Sequence, residues 1–130
     1  YTKQMDYLLV LPASALGLLS AGVLNLNNMR DHTSDALSNK NTLVVKMGIK
    51  LAKKYQLFLL SKAIILVLLF AIMYGYRWDQ YVFLLAYIPL SKHFMTVVKN
   101  TQSQLLDPEL KKLAIGTFIL AILLSMSLIF

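Results

Sequence analysis

The chain has 130 residues, of which 58% are hydrophobic and 15% charged. An ordinary soluble domain is about 45–50% apolar and about 25% charged, so this composition excludes such a domain and excludes intrinsic disorder. The absence of cysteine excludes a disulfide scaffold and a thiolate metal site. The formal net charge of +7 fits basic membrane loops better than a nucleic-acid surface in so apolar a chain. Because the sequence begins at Tyr1 without a signal-peptide pattern, we expect a piece of a longer polypeptide.

Four segments are long and apolar enough, or nearly so, to cross a membrane as helices. A membrane span needs about 20 mostly apolar residues, since each rises about 1.5 Å through a hydrocarbon core about 30 Å thick. The predicted spans are residues 7–26, 57–76, 81–98 and 113–130. The third is the weakest because Pro89, Ser91 and Lys92 interrupt it, whereas the fourth has its own start signal, with Asp107 as N-cap and Pro108 in the first turn.

These spans predict an all-α membrane protein with four transmembrane helices in a single membrane domain. The alternative is a soluble bundle with a buried helical core, but four such helices would leave too little polar surface to cover them. Of the 13 basic residues, eleven lie in or beside the two long loops, so the positive-inside rule places both loops in the cytoplasm. These residues are Arg30, Lys40, Lys46, Lys50, Lys53, Lys54, Lys62, Lys92, Lys99, Lys111 and Lys112. His93, beside Lys92, is expected to extend toward the interface.

Polar residues cluster in the first of these loops. Asp31 and Asp35 are four positions apart, so on a helix both carboxylates would lie on one face, one turn apart. Mg²⁺ binds through one or two carboxylates and keeps further positions for water and phosphate oxygens, so the two acids form a candidate metal site. Asn27 and Asn28 could add amide oxygens. The alternative is a solvated ion pair between Asp31 and Arg30, which would contribute little.

The same loop carries cations that could neutralise an anionic group held by the metal. These candidates are Arg30, Lys40 and Lys46. His32 lies about 100° from the face of the two acids and is expected to face solvent. The loop, residues 27–56, ends in a predicted basic amphipathic helix from Leu43 to Tyr55 at the membrane surface, which anchors the loop to anionic lipid or closes over a lipid-soluble substrate.

The segment from Asn27 to Gly48 reads N-N-M-R-D-H-T-S-D, four residues, then K-x-T-L-V-V-K-M-G. It resembles the second aspartate-rich motif of the UbiA superfamily of intramembrane prenyltransferases. Within that superfamily it is most similar to the 1,4-dihydroxy-2-naphthoate prenyltransferases of menaquinone synthesis. The family's glycine before the lysine is Asn39 here, and asparagine tolerates the left-handed backbone that such a turn requires. The family's last arginine is Lys46, which keeps the charge but not the planar fork.

The resemblance implies that the spans are the last four helices of a nine-helix bundle in the bacterial inner membrane, with the motif loop cytoplasmic. It implies transfer of a polyprenyl group from polyprenyl diphosphate to an aromatic acceptor, 1,4-dihydroxy-2-naphthoate, with decarboxylation. It also implies Mg²⁺ as cofactor, with Asp31 and Asp35 as the catalytic and metal-binding acids and Asn27 beside the metal. Asn28, Arg30, Lys40 and Lys46 are then expected to bind diphosphate or the acceptor.

The family's first aspartate-rich motif, usually N-D-x-x-D, does not occur in this sequence. We therefore expect the chain to carry half of a site, to need the N-terminal helices of the same protein, and to be inactive alone. The alternatives are another UbiA-type aromatic prenyltransferase, a membrane transporter, or a structural fragment without activity. Because the polar residues gather on one side of the spans, they favour a one-sided enzyme cavity over a transport pathway.

Overall fold

The long apolar segments fold as helices, which satisfy the backbone hydrogen bonds that lipid cannot. A computed structural model describes residues 6–100 and 103–129. The α-helices are α1 (Val10–Arg30), α2 (His32–Leu37), α3 (Leu43–Met47), α4 (Ile49–Tyr74), α5 (Tyr87–Lys99) and α6 (Asp107–Ser127). Short 3₁₀ segments, Tyr7–Leu9, Trp78–Ala86 and Ser103–Leu106, precede α1, α5 and α6.

Among the described residues, four helical segments are long and apolar enough to cross a membrane: Tyr7–Arg30, Ile49–Tyr74, Trp78–Lys99 and Asp107–Ser127. The predicted all-α fold with four membrane-spanning helices is therefore confirmed. Large apolar side chains such as Ile72 and Phe118 are 68% and 66% exposed, and many others share this outward position. A water-facing surface of this kind would aggregate, so the exposed faces suit the lipid environment of an integral membrane protein.

The core forms where α1 packs along α4 and α6 while α5 packs on α6. Leu19 of α1, Val67 of α4 and Leu120 of α6 are fully buried there. Gly116 lets α5 approach α6 closely, since a Cβ atom at that position would lie 2.9 Å from Leu90 Cδ2. Small residues at such contacts are typical of membrane helix pairs, which gain stability from close packing.

The segment that follows the polar loop does not form the single helix that the sequence predicts. Instead of one surface helix from Leu43 to Tyr55, the structure has α3, a break at Gly48, and α4, whose first turns include Tyr55. Gly48 has φ +80° and ψ 158°, a conformation that is essentially restricted to glycine. Since Gly48 ends α3 and caps the start of α4, Lys50, Lys53 and Lys54 belong to the first two turns of the second span.

Candidate functional site

The candidate site lies where α1 ends and α2 begins. Asp31 is both the C-cap of α1 and the N-cap of α2. Its backbone N–H donates to the Asn27 carbonyl at 3.0 Å, and the Asp35 N–H donates to the Asp31 carbonyl at 2.8 Å. These two hydrogen bonds meet at Asp31, which separates the two helices α1 and α2. As the spacing predicts, the two acids are separated by one helical turn.

The guanidinium of Arg30 is the centre of a polar network at this junction. Its Nε donates to Asp31 Oδ1 at 2.8 Å and its Nη2 to Asp31 Oδ2 at 2.9 Å, which makes a bidentate pair. Nη2 also donates to Asn27 Oδ1 at 2.8 Å, and Nη1 donates to Asp107 Oδ1 at 2.7 Å. The predicted metal ligand Asp31 and the predicted anion ligand Arg30 therefore neutralise each other in this arrangement.

The bidentate pair changes the acidity of Asp31. The side-chain hydrogen bond from Arg30 is the largest influence and lowers the pKa of the Asp31 carboxyl, with a smaller contribution from the positive charge of Lys40. Partial burial acts in the opposite direction without cancelling it. Asp31 is therefore ionised at neutral pH, the state that a carboxylate needs to bind a cation.

Asp35 is in a different environment, because it is only 7% exposed. Lys40 Nζ lies 3.2 Å from Asp35 Oδ1, whereas Asp35 Oδ2 is buried without a hydrogen-bond partner among the described residues. The backbone N–H of Lys40 also donates to the Asp35 carbonyl at 2.9 Å. Asn39, with φ 55°, turns the backbone so that this hydrogen bond can form. The predicted left-handed conformation of Asn39 is therefore confirmed.

Two other predicted site residues, Asn28 and Lys46, do not join the network. Asn28 is half-buried on α1, and Lys46 is exposed on α3. Within residues 6–100 and 103–129, the structure gives neither side chain a hydrogen bond or ion pair. Thr42 fixes the start of α3 by accepting a hydrogen bond from the Val45 N–H at 3.2 Å. His32, predicted to face solvent, is half-buried at the start of α2.

The junction contains oxygen donors of the types that Mg²⁺ binds. The described residues contain no group of three His, Cys, Asp or Glu side chains placed to hold a metal ion. Two carboxylates and an amide oxygen are nevertheless the hard donors that Mg²⁺ takes when water and phosphate oxygens complete its coordination. The buried, unpartnered Oδ2 of Asp35 supports this fit, since a buried carboxylate oxygen without a donor is costly unless a ligand satisfies it.

Asp107 and His93, near the start of α6, do not have the positions that the sequence predicts. Asp107 was predicted as the N-cap, but the cap position is Leu106 and no side chain caps the helix; the carboxylate of Asp107 pairs with Arg30 instead. His93 does not extend to the interface. It is 1% exposed, and its Nδ1 lies 2.8 Å from Glu109 Oε2, because a carboxylate on α6 provides the polar partner that water would otherwise supply.

A second buried polar contact, between α1 and α4, was not anticipated. Asn25 Nδ2 donates to Gln56 Oε1 at 2.8 Å and to the Ala52 carbonyl at 3.0 Å. Asn25 is 4% exposed and Gln56 is fully buried. The signal available in the sequence was the presence of polar residues inside or beside apolar spans, which is rare without an interhelical partner or a functional role.

The amino-acid sequence of the chain is similar to those of two named proteins. The chain is 38% identical over 98% of its length to a protein of Haemophilus influenzae named 1,4-dihydroxy-2-naphthoate octaprenyltransferase, of which it covers 42%. It is 37% identical over 90% of its length to the Escherichia coli protein of the same name, of which it covers 40%. No family model matches the chain, and no solved structure matches it.

These similarities confirm the resemblance that the motif indicates. The chain is a helical membrane protein that is similar, along nearly all of its length, to a part of two octaprenyltransferases. It spans about two fifths of the length of those relatives, 42% and 40%.

Proposed function

We propose that this chain provides the second aspartate-rich half of a prenyltransferase site. The reaction is Mg²⁺-dependent transfer of a polyprenyl group from polyprenyl diphosphate to 1,4-dihydroxy-2-naphthoate, with decarboxylation, in menaquinone biosynthesis. The observation that carries the proposal is the buried, unpartnered Oδ2 of Asp35, one helical turn from the ionised Asp31. The names of the two relatives support the choice of substrates.

In this reaction the leaving diphosphate gains negative charge that must be neutralised. Mg²⁺, when bound, would supply Lewis-acid neutralisation of that charge. Asp31, Asp35 and the amide oxygen of Asn27 would hold the metal, and Asn28 would support them. Because cations placed where charge develops stabilise the transition state, we assign that role to three basic residues. They are Arg30, Lys40 and Lys46.

Lys40 is well suited to change partners during this process. Its side chain is 62% exposed and lies 3.2 Å from Asp35 Oδ1, so it keeps Asp35 paired before the metal binds. The exposed ammonium could also contact a phosphate oxygen, since lysine is a compact charge on a flexible stem. The apolar helices around the junction would hold the prenyl tail and keep water from the allylic cation.

The proposed setting is the bacterial inner membrane, with the motif loop in the cytoplasm and the lipid-soluble prenyl donor entering from the bilayer. The first aspartate-rich motif of the site would come from N-terminal helices of the same protein. The isolated chain would then hold the second motif without the first, and it would not turn over substrate.

The test replaces the matching part of the Escherichia coli relative with this chain and measures Mg²⁺-dependent prenyl transfer in membranes. We expect the chimera to be active, and Asp31→Asn and Asp35→Asn each to lose at least the roughly 10–100-fold that changes to the outer-shell partners of a metal site cost. Asp79→Asn is the matched control, because Asp79 also pairs with an arginine but lies in the 3₁₀ segment Trp78–Ala86 that follows α4.

Near-normal turnover in either aspartate variant would contradict the site assignment. Turnover by the chain alone would contradict the half-site. Since a chimera can fail to fold, Mn²⁺ binding to the chain itself, read by electron paramagnetic resonance in lipid nanodiscs, is the second measurement. Loss of Mn²⁺ binding in Asp31→Asn and Asp35→Asn, with binding kept in Asp79→Asn, is the expected result.

A further inference from the structure

We propose that Asp107 is a positioning residue that holds Arg30 at the diphosphate when Asp31 binds the metal. This inference rests on the proposed function and adds to the site a residue from α6, 77 positions from Arg30 in the chain. Asp107 does not contact the reacting atoms in this role. It acts through the guanidinium of Arg30, which it contacts at 2.7 Å.

The distribution of hydrogen bonds around Arg30 carries the argument. A guanidinium has five N–H donors, and the structure uses Nε and one Nη2 hydrogen for Asp31, the other Nη2 hydrogen for Asn27, and Nη1 for Asp107. Asp31 therefore occupies the whole edge of the Arg30 guanidinium that Nε and Nη2 form. Asp107 is bound on a different nitrogen, so the two carboxylates do not compete for the same donors.

Metal binding at Asp31 would free that edge. A divalent cation held by the Asp31 carboxylate would repel the guanidinium and compete for the oxygens that now accept from Nε and Nη2. That edge of Arg30 would then offer two parallel N–H donors, the arrangement that matches a phosphate group bidentately. Asn27 can join the metal as well, so Asp107 becomes the contact that keeps Arg30 from swinging into solvent.

A purely structural role for Asp107 predicts something different. Its side chain is 68% exposed, and an exposed ion pair adds little to stability. Removing the carboxylate should therefore leave the bundle folded and leave the metal ligands Asp31 and Asp35 in place. A positioning role predicts that anion binding suffers while metal binding does not.

The experiment uses the chain in lipid nanodiscs and two probes. Mn²⁺ binding is read by electron paramagnetic resonance, and binding of inorganic pyrophosphate in saturating Mn²⁺ is read by calorimetry. We expect Asp107→Asn to weaken pyrophosphate binding about tenfold, the size of one charged hydrogen bond, and to change Mn²⁺ affinity less than about twofold. Asp107→Glu should restore most of the loss, Arg30→Gln should match it, and Asp79→Asn should behave as wild type.

Each other result overturns a specific claim. Unchanged pyrophosphate affinity in Asp107→Asn, with Mn²⁺ bound normally, overturns the positioning role and leaves the proposed metal site standing. Equal weakening of Mn²⁺ and pyrophosphate overturns it in favour of a structural role. A wild-type chain that binds Mn²⁺ but not pyrophosphate overturns the assignment of Arg30 and Asp107 to the anion, and one that does not bind Mn²⁺ overturns the proposed site as well.

Discussion

The imidazole Nδ1 of His93 on α5 lies 2.8 Å from Glu109 Oε2 on α6, and both side chains are almost completely buried. Lys112, one turn further along α6, donates to the other oxygen of the same carboxylate. In a membrane protein such a contact links two helices that apolar packing alone would leave free to slide. The pair therefore fixes the relative position of α5 and α6 near the start of α6, where Asp107 meets Arg30.

We predict that His93→Ala and Glu109→Ala each lower the free energy of unfolding by about 1–3 kcal/mol, because each leaves a buried polar partner unsatisfied. The loss of unfolding free energy in the double variant should be smaller than the sum of the two single losses. The difference, the coupling energy, should be about 0.6–1.7 kcal/mol, as found for interhelical hydrogen bonds in membranes. Unfolding in sodium dodecyl sulfate, followed by far-ultraviolet circular dichroism, provides the measurement. Lys92→Ala, an exposed neighbour, is the control. Strictly additive costs would show that the two side chains do not interact.

The turn between α2 and α3 gives a second prediction. Asn39 has φ 55°, a left-handed conformation in which glycine is unstrained, asparagine is tolerated and β-branched residues are outliers. We expect Asn39→Gly to stay within about 0.5 kcal/mol of the wild-type free energy of unfolding, and Asn39→Val to lose about 1–3 kcal/mol. Asn41→Val, at an exposed neighbouring position, is the matched control.

The functional consequence of the Asn39 change can be measured too. This turn brings the Lys40 backbone N–H back to the Asp35 carbonyl, so straining it should also weaken Mn²⁺ binding by the chain. If Asn39→Val binds Mn²⁺ and unfolds as the wild type does, the left-handed turn is not required for the site.

Local features of this fold and site were predictable from the sequence, whereas contacts between distant segments were not. The spacing of Asp31 and Asp35 predicts that one helical turn separates them, because the hydrogen bond from the Asp35 N–H to the Asp31 carbonyl is local in sequence. The turn at Asn39 was predictable because few residue types adopt left-handed backbone. The contact between Arg30 and Asp107 joins residues 77 positions apart, and helical periodicity does not specify which helix ends become neighbours.

The break at Gly48 shows how a periodic pattern can mislead. Apolar residues recur every four positions from Leu43 to Tyr55, and a glycine inside such a pattern costs only about 1 kcal/mol relative to alanine. One continuous helix was therefore the natural interpretation. In the structure Gly48 has φ +80°, which stops α3 and turns the chain into α4, and the interpretation fails because a single backbone conformation outweighs the side-chain pattern.

The ionisation of Asp31 gives the last prediction. The hydrogen bond from Arg30 lowers the pKa of Asp31, so folding favours the ionised carboxylate. This contribution to stability is fully present above the unfolded pKa of about 3.9 and is lost as pH falls through the lower folded value. We expect Arg30→Gln to raise the pKa of Asp31 toward that ordinary value. Carbon-13 titration of the Asp31 carboxyl measures the shift, and Arg77→Gln, which removes the partner of Asp79 instead, is the control.

The same change predicts how cation binding depends on pH. With Arg30 present, the Asp31 carboxyl stays ionised at a pH lower than that at which an ordinary aspartate protonates. Protons therefore compete poorly with a divalent cation at this carboxylate. In Arg30→Gln the Asp31 carboxylate protonates at higher pH. The acidic limb of the pH profile, where Mn²⁺ binding is lost as pH falls, should therefore shift to higher pH by a similar amount. At neutral pH, where both forms are ionised, Mn²⁺ should bind at least as well to Arg30→Gln, because the competing guanidinium is gone. An acidic limb that stays in place while the Asp31 carboxyl shifts would show that Asp31 does not bind the cation.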